Sequence, residues 1–329
     1  MNKVIILLGP TGVGKTGISI LLAKKLGTEI ISADSMQIYK YMDIGTAKPA
    51  PEERAVVKHH MIDIVDPWES YSTGKYITAA ASIIEGLNKT KKIPVVVGGT
   101  GLYIKAMTRG IFSGPSADWT LRENLLSMEK EEKGSLYNYL KKLDPEAAEK
   151  ITPNDTRRIV RALEVCLKSN KSMSEIQKKL TQPLPYEFIK IGLSRERKEL
   201  YRLIEKRVDK MVENGLTEEV NQVIGLIKDA ETRRHGDTNT FSVSPVHHFS
   251  VSSFSSMQAI GYKEIAMYLH GKITLEEAIR LIKRGSKRYA KRQFTWFRKE
   301  EGIHWVDITG IDDSKEIFMR VNDVLRYLL

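Results

Sequence analysis

The chain has 329 residues, 41% of them hydrophobic and 28% charged, which suits a soluble globular protein large enough to bury a real core. The longest apolar runs, VIILL and VVV, are far too short to cross a bilayer, and no charged lead with a long apolar stretch opens the chain, so neither membrane insertion nor a signal peptide is expected. Basic residues outnumber acidic ones 52 to 41, a net charge of +11 that favours a polyanionic partner, while the single cysteine, Cys166, excludes an internal disulfide and a Cys-based zinc site and suits a reducing cytoplasm.

Residues 4–8 read as a short buried strand and 16–26 as a helix. Between them lies Gly9-x4-Gly14-Lys15-Thr16, in the strand–loop–helix setting that a phosphate loop needs. Glycines there let backbone amides converge, and the helix N-terminus adds positive partial charge. Lys15 contributes a point charge and Thr16 a hydroxyl for Mg2+. The loop specifies linked phosphates and magnesium without specifying a nucleoside. The bland alternative is a glycine-rich turn with no ligand.

TEIISAD reads as a second strand, closed by Asp34. Three roles fit an Asp at that edge: a turn or cap residue, a magnesium ligand, or a general base beside the phosphates. HMIDIV reads as a third strand and IPVVVGG as a fourth, with the helix YITAAASIIEGL between them placing Ile77, Ala81 and Ile84 on one face. Strands that are apolar throughout and alternate with helices argue a parallel sheet covered on both sides. After the fourth strand, Gly98, Gly99 and Gly101 leave Thr100 as the one side chain on a tight corner. Its hydroxyl either meets a phosphate or caps the next helix.

From 116 to 185 the signals are helical only, broken by Gly134, Pro145, Pro153, Pro183 and Pro185. Thr152 reads as an N-cap with Pro153 at the first helical position and Asp155 closing a capping pair. Ile159, Leu163, Cys166 and Leu167 form the buried stripe of that helix. Arg157, Arg158 and Arg161 lie off it, either as a solvated face or as a clamp on a phosphate backbone. EFIKIGL at 187–193 returns to strand character, and long helices follow. The segment 231–256, rich in Ser and Thr and without a steady period, reads as a long flexible loop; its His235, His247 and His248 are not grouped as a metal site. Residues 280–299 hold nine Lys or Arg and no acid. Arg280, Arg284, Lys287, Lys291 and Arg298 share one helical face, suited to a track of phosphates, with Ile282, Tyr289 and Trp296 on another, read as core. The fold class expected is therefore α/β: a P-loop NTPase-like parallel sheet core, 1–115 and 186–329, with an inserted helical domain, 116–185, and a helical, basic C-terminal region.

GPTGVGKT, ISADSMQIYKYMDIGTAKP, VVVGGTGLYIKAM, QAIGYKE and YAKRQFTWFR stand here in the order they take in the tRNA dimethylallyltransferases, also known as tRNA isopentenyltransferases. The chain resembles that family, in its bacterial form, over nearly its whole length. The resemblance implies a cytoplasmic, monomeric transferase that moves a dimethylallyl group from dimethylallyl diphosphate to the exocyclic N6 amine of the adenosine 3′-adjacent to a tRNA anticodon. It places the diphosphate on Gly9, Pro10, Thr11, Gly12, Val13, Gly14, Lys15 and Thr16, with Mg2+ at Thr16 and Asp34 as a possible second ligand. It makes Asp34 the general base, puts Thr100 near the bridging oxygen and the substrate base, and matches Arg207 to an arginine on the diphosphate, with Arg202 close by. Contacts to the anticodon stem-loop fall on Asp34, Ser35, Met36, Gln37, Thr100, Arg122, Arg157, Arg158, Arg161, Gln258, Gly261, Tyr262 and Lys263, and the basic stripe adds Arg284, Lys287 and Lys291. The helical insertion would swing over that stem. The 231–256 segment is longer than the family's usual connection, and no zinc-finger tail is present. Two rivals remain at this stage. A nucleotide or small-molecule kinase would use the loop for ATP and Asp34 for magnesium. A non-catalytic RNA-binding P-loop protein would leave Asp34 and Thr100 without work.

Overall fold

The computed structural model describes residues 2–112, 114–236 and 254–329. Contacts divide it into two compact units, Met1–Ile104 with Pro185–Leu329, and Lys105–Leu184. In the first unit the chain runs β1 (Lys3–Leu8), α1 (Lys15–Leu26), β2 (Ile30–Ala33), α2 (Pro51–Val56), β3 (His59–His60), α3 (Thr73–Lys89), β4 (Val95–Gly98) and the start of α4 (Gly101–Arg109). The second unit carries α5 (Trp119–Glu131), α6 (Ser135–Leu143), α7 (Pro145–Lys150), α8 (Thr156–Ser169) and α9 (Met173–Leu180). The first unit then resumes with β5 (Glu187–Ser194), α10 (Arg197–Glu213), α11 (Leu216–Gly236), a 3-10 turn at Ser256–Gln258, α12 (Tyr262–Leu269), α13 (Leu275–Phe297), β6 (Ile303–Asp307) and α14 (Ser314–Arg326).

Six strands form one sheet in the order β3-β2-β4-β1-β5-β6, and every pair in it is parallel. The expected P-loop-like α/β core is thus present. Val4 to Leu8 of β1 are wholly buried, as a central strand covered on both faces requires. Ile18 and Leu22 of α1 pack with Ile317, Val321 and Leu325 of α14 in the main core. Register then sets the site. Leu8 and Ala33 both pair with Gly98, so the residues that follow β1, β2 and β4 emerge side by side at one edge of the sheet. Ligands of open α/β folds bind at such an edge.

Several expectations need correction. The helical unit begins at Lys105, inside α4, and not at residue 116. The reason is local: the Leu184 amide bonds the Met107 carbonyl at 3.0 Å, tying the unit's exit strand of chain to its entry. HMIDIV is not a strand beyond its first residue. Met61 and Asp63 adopt left-handed φ of 64° and 56°, which break the ladder, leaving only an isolated bridge between Tyr39 and Val65. The buried face of α3 is Tyr76, Ala80, Ile84 and Leu87, one position round from the face expected. Helix α8 starts after Thr152-Pro153-Asn154, which form a turn closed by the Asp155 amide on the Thr152 carbonyl at 2.9 Å; Asp155 is the N-cap, accepting from the Arg158 amide at 3.2 Å. The basic helix does not end the fold, because β6 and α14 follow it and complete the sheet and core. Of the 231–256 loop, residues 231–236 continue α11 and Ser256 opens the 3-10 turn. Residues 237–253, with His247 and His248, lie outside the described residues.

Candidate active site

The three strand ends converge on a cavity of about 470 Å³ lined by the phosphate loop, Asp34, Gly98, Gly99, Arg207, Tyr289 and Gln293. Gly14 is the N-cap of α1 at φ 104° and ψ 21°, a left-handed conformation natural to glycine and costly for other residues. It turns the chain so that the first amides of α1, which helix geometry leaves without partners, face the cavity. Lys15 folds back over its own loop and donates to the Gly9 and Pro10 carbonyls, both at 2.9 Å. Burial pulls its amine down from 10.5 to about 8, with Asp34 raising it and Arg207 lowering it further. Arg207 of α10 reaches the Thr11 hydroxyl at 3.4 Å, and burial lowers its pKa while Asp34 raises it. Arg202, five residues earlier, is exposed. The structure therefore brings one loop and two half-buried cations around one carboxylate.

Asp34 spends only half of that carboxylate on the backbone. Its Oδ1 accepts from the Met36 amide at 2.8 Å and the Gln37 amide at 3.4 Å, closing an Asx turn. Among the described residues no hydrogen bond reaches its Oδ2, which leaves that oxygen for a ligand. The cap role and a chemical role are thus held by different oxygens of one residue. Thr100 does not cap α4 with its side chain. Its hydroxyl accepts from the Ser35 amide at 3.0 Å, fastening the β4 corner to the loop that carries Asp34. Gln37 is spent inside the same loop: its amide donates to the Thr46 and Ala47 carbonyls at 3.3 and 3.1 Å, and the Ser32 hydroxyl donates to its Oε1 at 3.1 Å.

A second cavity, about 270 Å³, shares Thr11, Asp34, Arg207 and Tyr289 with the first. Its other walls are largely apolar, among them Met36, Ile204, Val208, Met211, Ile260 and Ile282, with Ser35, Gln258, Ser286 and Arg292 at its polar side. Asp34 thus stands where a phosphate cradle meets an apolar chamber. Thr16 and Asp34 line the first cavity together, one hydroxyl and one carboxylate, hard oxygen donors of the kind Mg2+ takes alongside substrate phosphates. Among the described residues no group of three or more His, Cys, Asp or Glu could hold a metal by itself, so a fit to Mg2+ depends on phosphate oxygens completing the shell.

The remaining expected residues divide. Tyr262 is wholly buried, with its hydroxyl on Glu219, so it is a core residue and presents no surface to RNA. Gly261, at φ 102°, turns the chain into α12, while Lys263 and Gln258 are exposed. On α13 the stripe is partly neutralised by acids that its own segment lacks: Lys287 pairs with Glu205 of α10, Lys283 with Asp209 at 2.5 Å and Arg280 with Glu277 at 2.6 Å. Arg284, Arg288 and Lys291 are exposed and, among the described residues, have no acid within ion-pair distance. Tyr289, expected in the core, instead borders both cavities. Within the helical unit Arg122 makes a bidentate pair with the wholly buried Glu164 at 2.9 and 2.8 Å, which Arg161 shares. The pair of arginines holds the Glu164 carboxyl down at about 2 despite its burial. Arg158 pairs with Asp155 at 3.2 Å, and Arg157 is exposed.

Sequence reasoning missed two residues. Glu219 accepts the Asp43, Ile44 and Gly45 amides at 2.8, 2.7 and 3.0 Å, holding the loop that in turn holds Gln37. Gln293, one turn after Tyr289, accepts from the Thr11 amide at 2.8 Å and donates to the Gly99 carbonyl at 2.9 Å. Spacing of four between Tyr289 and Gln293, away from the basic stripe, was the available signal.

A parallel α/β sheet whose edge gathers this loop, its lysine and a carboxylate defines a P-loop protein with a cradle for linked phosphates. The family model for IPP transferase matches residues 37–300. The chain is 57% identical over 328 residues to the tRNA dimethylallyltransferase of Thermodesulfovibrio yellowstonii, covering 100% of this chain and 99% of that one. It is 45% identical to the tRNA dimethylallyltransferase of Thermotoga maritima, covering 94% of each. Among solved structures it resembles the tRNA isopentenylpyrophosphate transferase of Bacillus halodurans, at 40% identity and TM-score 0.68, covering 99% of this chain and 96% of that one. It also resembles a eukaryotic dimethylallyltransferase captured acting on tRNA, at 31% identity and TM-score 0.76, covering 99% and 80%. The chain belongs to the IPP transferase family, and is a prenyltransferase enzyme.

Proposed function

We propose that this enzyme transfers the dimethylallyl group of dimethylallyl diphosphate to the N6 amine of the adenosine 3′-adjacent to the anticodon of tRNA. The observation that carries the reading is the placement of Asp34 between a phosphate cradle and an apolar chamber. The diphosphate is the leaving group. As its bond to the allylic carbon breaks, negative charge grows on the bridging oxygen, and Lys15, Arg207 and the loop amides stand ready to stabilise it. The amine forms the new bond to carbon, and its proton passes to the unbonded oxygen of Asp34, a contribution of roughly 10²–10⁴ in rate. Mg2+, held by the Thr16 hydroxyl together with phosphate oxygens, would supply further charge neutralisation. Apolar walls around Met36, Ile204 and Ile282 suit an isoprenoid and the face of a base turned out of its stack. Arg284 and Lys291 on α13 and the exposed Arg157 in the helical unit supply charge for the RNA backbone, with Arg122, Arg158 and Arg161 adding what their pairs with Glu164 and Asp155 leave. The enzyme acts as a monomer in the cytoplasm, where tRNA is. No helix among the described residues is long and apolar enough to cross a membrane.

Purified protein incubated with unmodified tRNA, radiolabelled dimethylallyl diphosphate and Mg2+ tests the proposal. Label entering RNA at that adenosine is the expected result. In a parallel reaction with ATP, ATP consumption with no label in RNA would favour a kinase, and tRNA binding with neither would favour a non-catalytic protein.

A further inference from the structure

Gln293 is only 5% exposed, and both ends of its amide are committed to the mouth of the cavity. Its Oε1 accepts from the Thr11 amide at 2.8 Å and its Nε2 donates to the Gly99 carbonyl at 2.9 Å. A Cβ on Gly99 would lie 2.2 Å from that Nε2, so glycine at this corner is what lets the amide seat. Tyr289, one turn earlier, lines the same cavity, and next to Gly99 the Thr100 hydroxyl accepts from the Ser35 amide at 3.0 Å. One turn of α13 therefore touches the corner after β1 and the corner after β4, and through Thr100 the loop bearing Asp34.

We propose that Gln293 is a positioning residue for diphosphate: its amide sets the phosphate loop at a fixed distance from the corner that holds Asp34. This rests on the prenyl-diphosphate reading above. The anchoring of α13 does not need this amide, since Ala278, Ile282, Ala290 and Phe297 already bury the helix in the core. What the amide adds falls on Thr11 and Gly99 alone. Without it, the partly buried Thr11 N–H and the buried Gly99 carbonyl, on opposite sides of the cradle, lose their partner, and the loop is free to shift relative to Asp34. The cost appears where the diphosphate is gripped, not where the RNA backbone lies along α13.

Two variants test this. Gln293→Met keeps the volume and loses both hydrogen bonds; Gln293→Glu keeps the acceptor for Thr11 and loses the donor to Gly99, and the Tm of each variant shows whether it folds. Calorimetry with Mg2+ and inorganic pyrophosphate, and label transfer at varied dimethylallyl diphosphate, are read beside the tRNA Kd and the Tm. The expected result is a rise of about tenfold in pyrophosphate Kd and in KM for the diphosphate, with tRNA Kd changed less than about twofold. Wild-type pyrophosphate Kd and KM in both variants, or an equal weakening for pyrophosphate and tRNA, overturns the assignment. Wild-type protein that transfers no label would instead overturn the functional reading, while the pyrophosphate titrations still decide the role of Gln293.

Discussion

Lys15 is placed at a cost to the empty protein, and Lys15→Met exposes that cost. Its amine falls from 10.5 to about 8 because burial strips water from the charge. At about 1.36 kcal/mol per pH unit, holding the proton in the fold costs up to about 3 kcal/mol. Two carbonyl bonds from the ammonium, to Gly9 and Pro10, return part of this, and the half-buried position trims it again. We therefore expect Lys15→Met to unfold at higher urea, with a gain of about 1–2 kcal/mol at pH 7. The sign with pH follows from linkage. Below pH 8 both folded and unfolded chains carry the proton and the cost is complete. Between about 8 and 10.5 the folded lysine releases its proton while the unfolded one keeps it, so wild-type stability rises and the gap closes. The same variant should lose measurable pyrophosphate binding. Urea curves at pH 7 and pH 10 with calorimetry at pH 7 check both halves. A variant less stable than wild type at pH 7 and unchanged in pyrophosphate affinity would refute the view of Lys15 as a desolvated anion ligand.

Asp34→Asn keeps an oxygen for the Met36 and Gln37 amides and removes the base; turnover should fall by roughly 10²–10⁴ with tRNA Kd little changed, and a collapse of tRNA binding would count against the base role. Lys291→Ala should flatten the salt dependence of tRNA binding by about one unit of slope per lost phosphate contact, whereas Lys287→Ala should do less because Lys287 is already paired with Glu205. Equal slopes for the two variants would show that pairing does not govern the stripe. Glu219→Ala strands three backbone amides and the Tyr262 hydroxyl, and thermal or urea unfolding should register a loss of about 3 kcal/mol; a loss below about 1 kcal/mol would mean that loop 43–45 finds other partners.

The parts legible in the sequence are those set by local rules. Apolar runs that must be covered on both faces gave β1, β2, β4 and β5, and glycine spacing marked both corners of the cradle. HMIDIV misled because two of its apolar residues, Met61 and Ile62, are buried in irregular backbone, where burial no longer implies a ladder. Strand β6 was missed because IHWVD is mostly exposed at a sheet edge and lacks an apolar run. The basic stripe looked unrelieved because its acids, Glu205 and Asp209, come from α10, some eighty residues earlier in the chain. Tyr262 was misplaced for a related reason: its motif marks it, but its partner Glu219 lies forty-three residues away. Pairing at that range is a product of the fold and leaves no trace in spacing.

Helix α13 joins these threads. Its outward side carries Arg284, Arg288 and Lys291, and its inward side carries Tyr289 and Gln293 onto the corners of the cavity. A helix cannot turn one of these sides without turning the other, because successive residues are fixed about 100° apart around a common axis. The charges that would attract RNA and the amide that steadies the phosphate loop are therefore set in one rigid element. An enzyme that must join a phosphate-bearing donor to a base buried in RNA has to place both substrates against a common reference, and α13, packed on α10, carries residues on the cavity and on the exposed basic stripe alike.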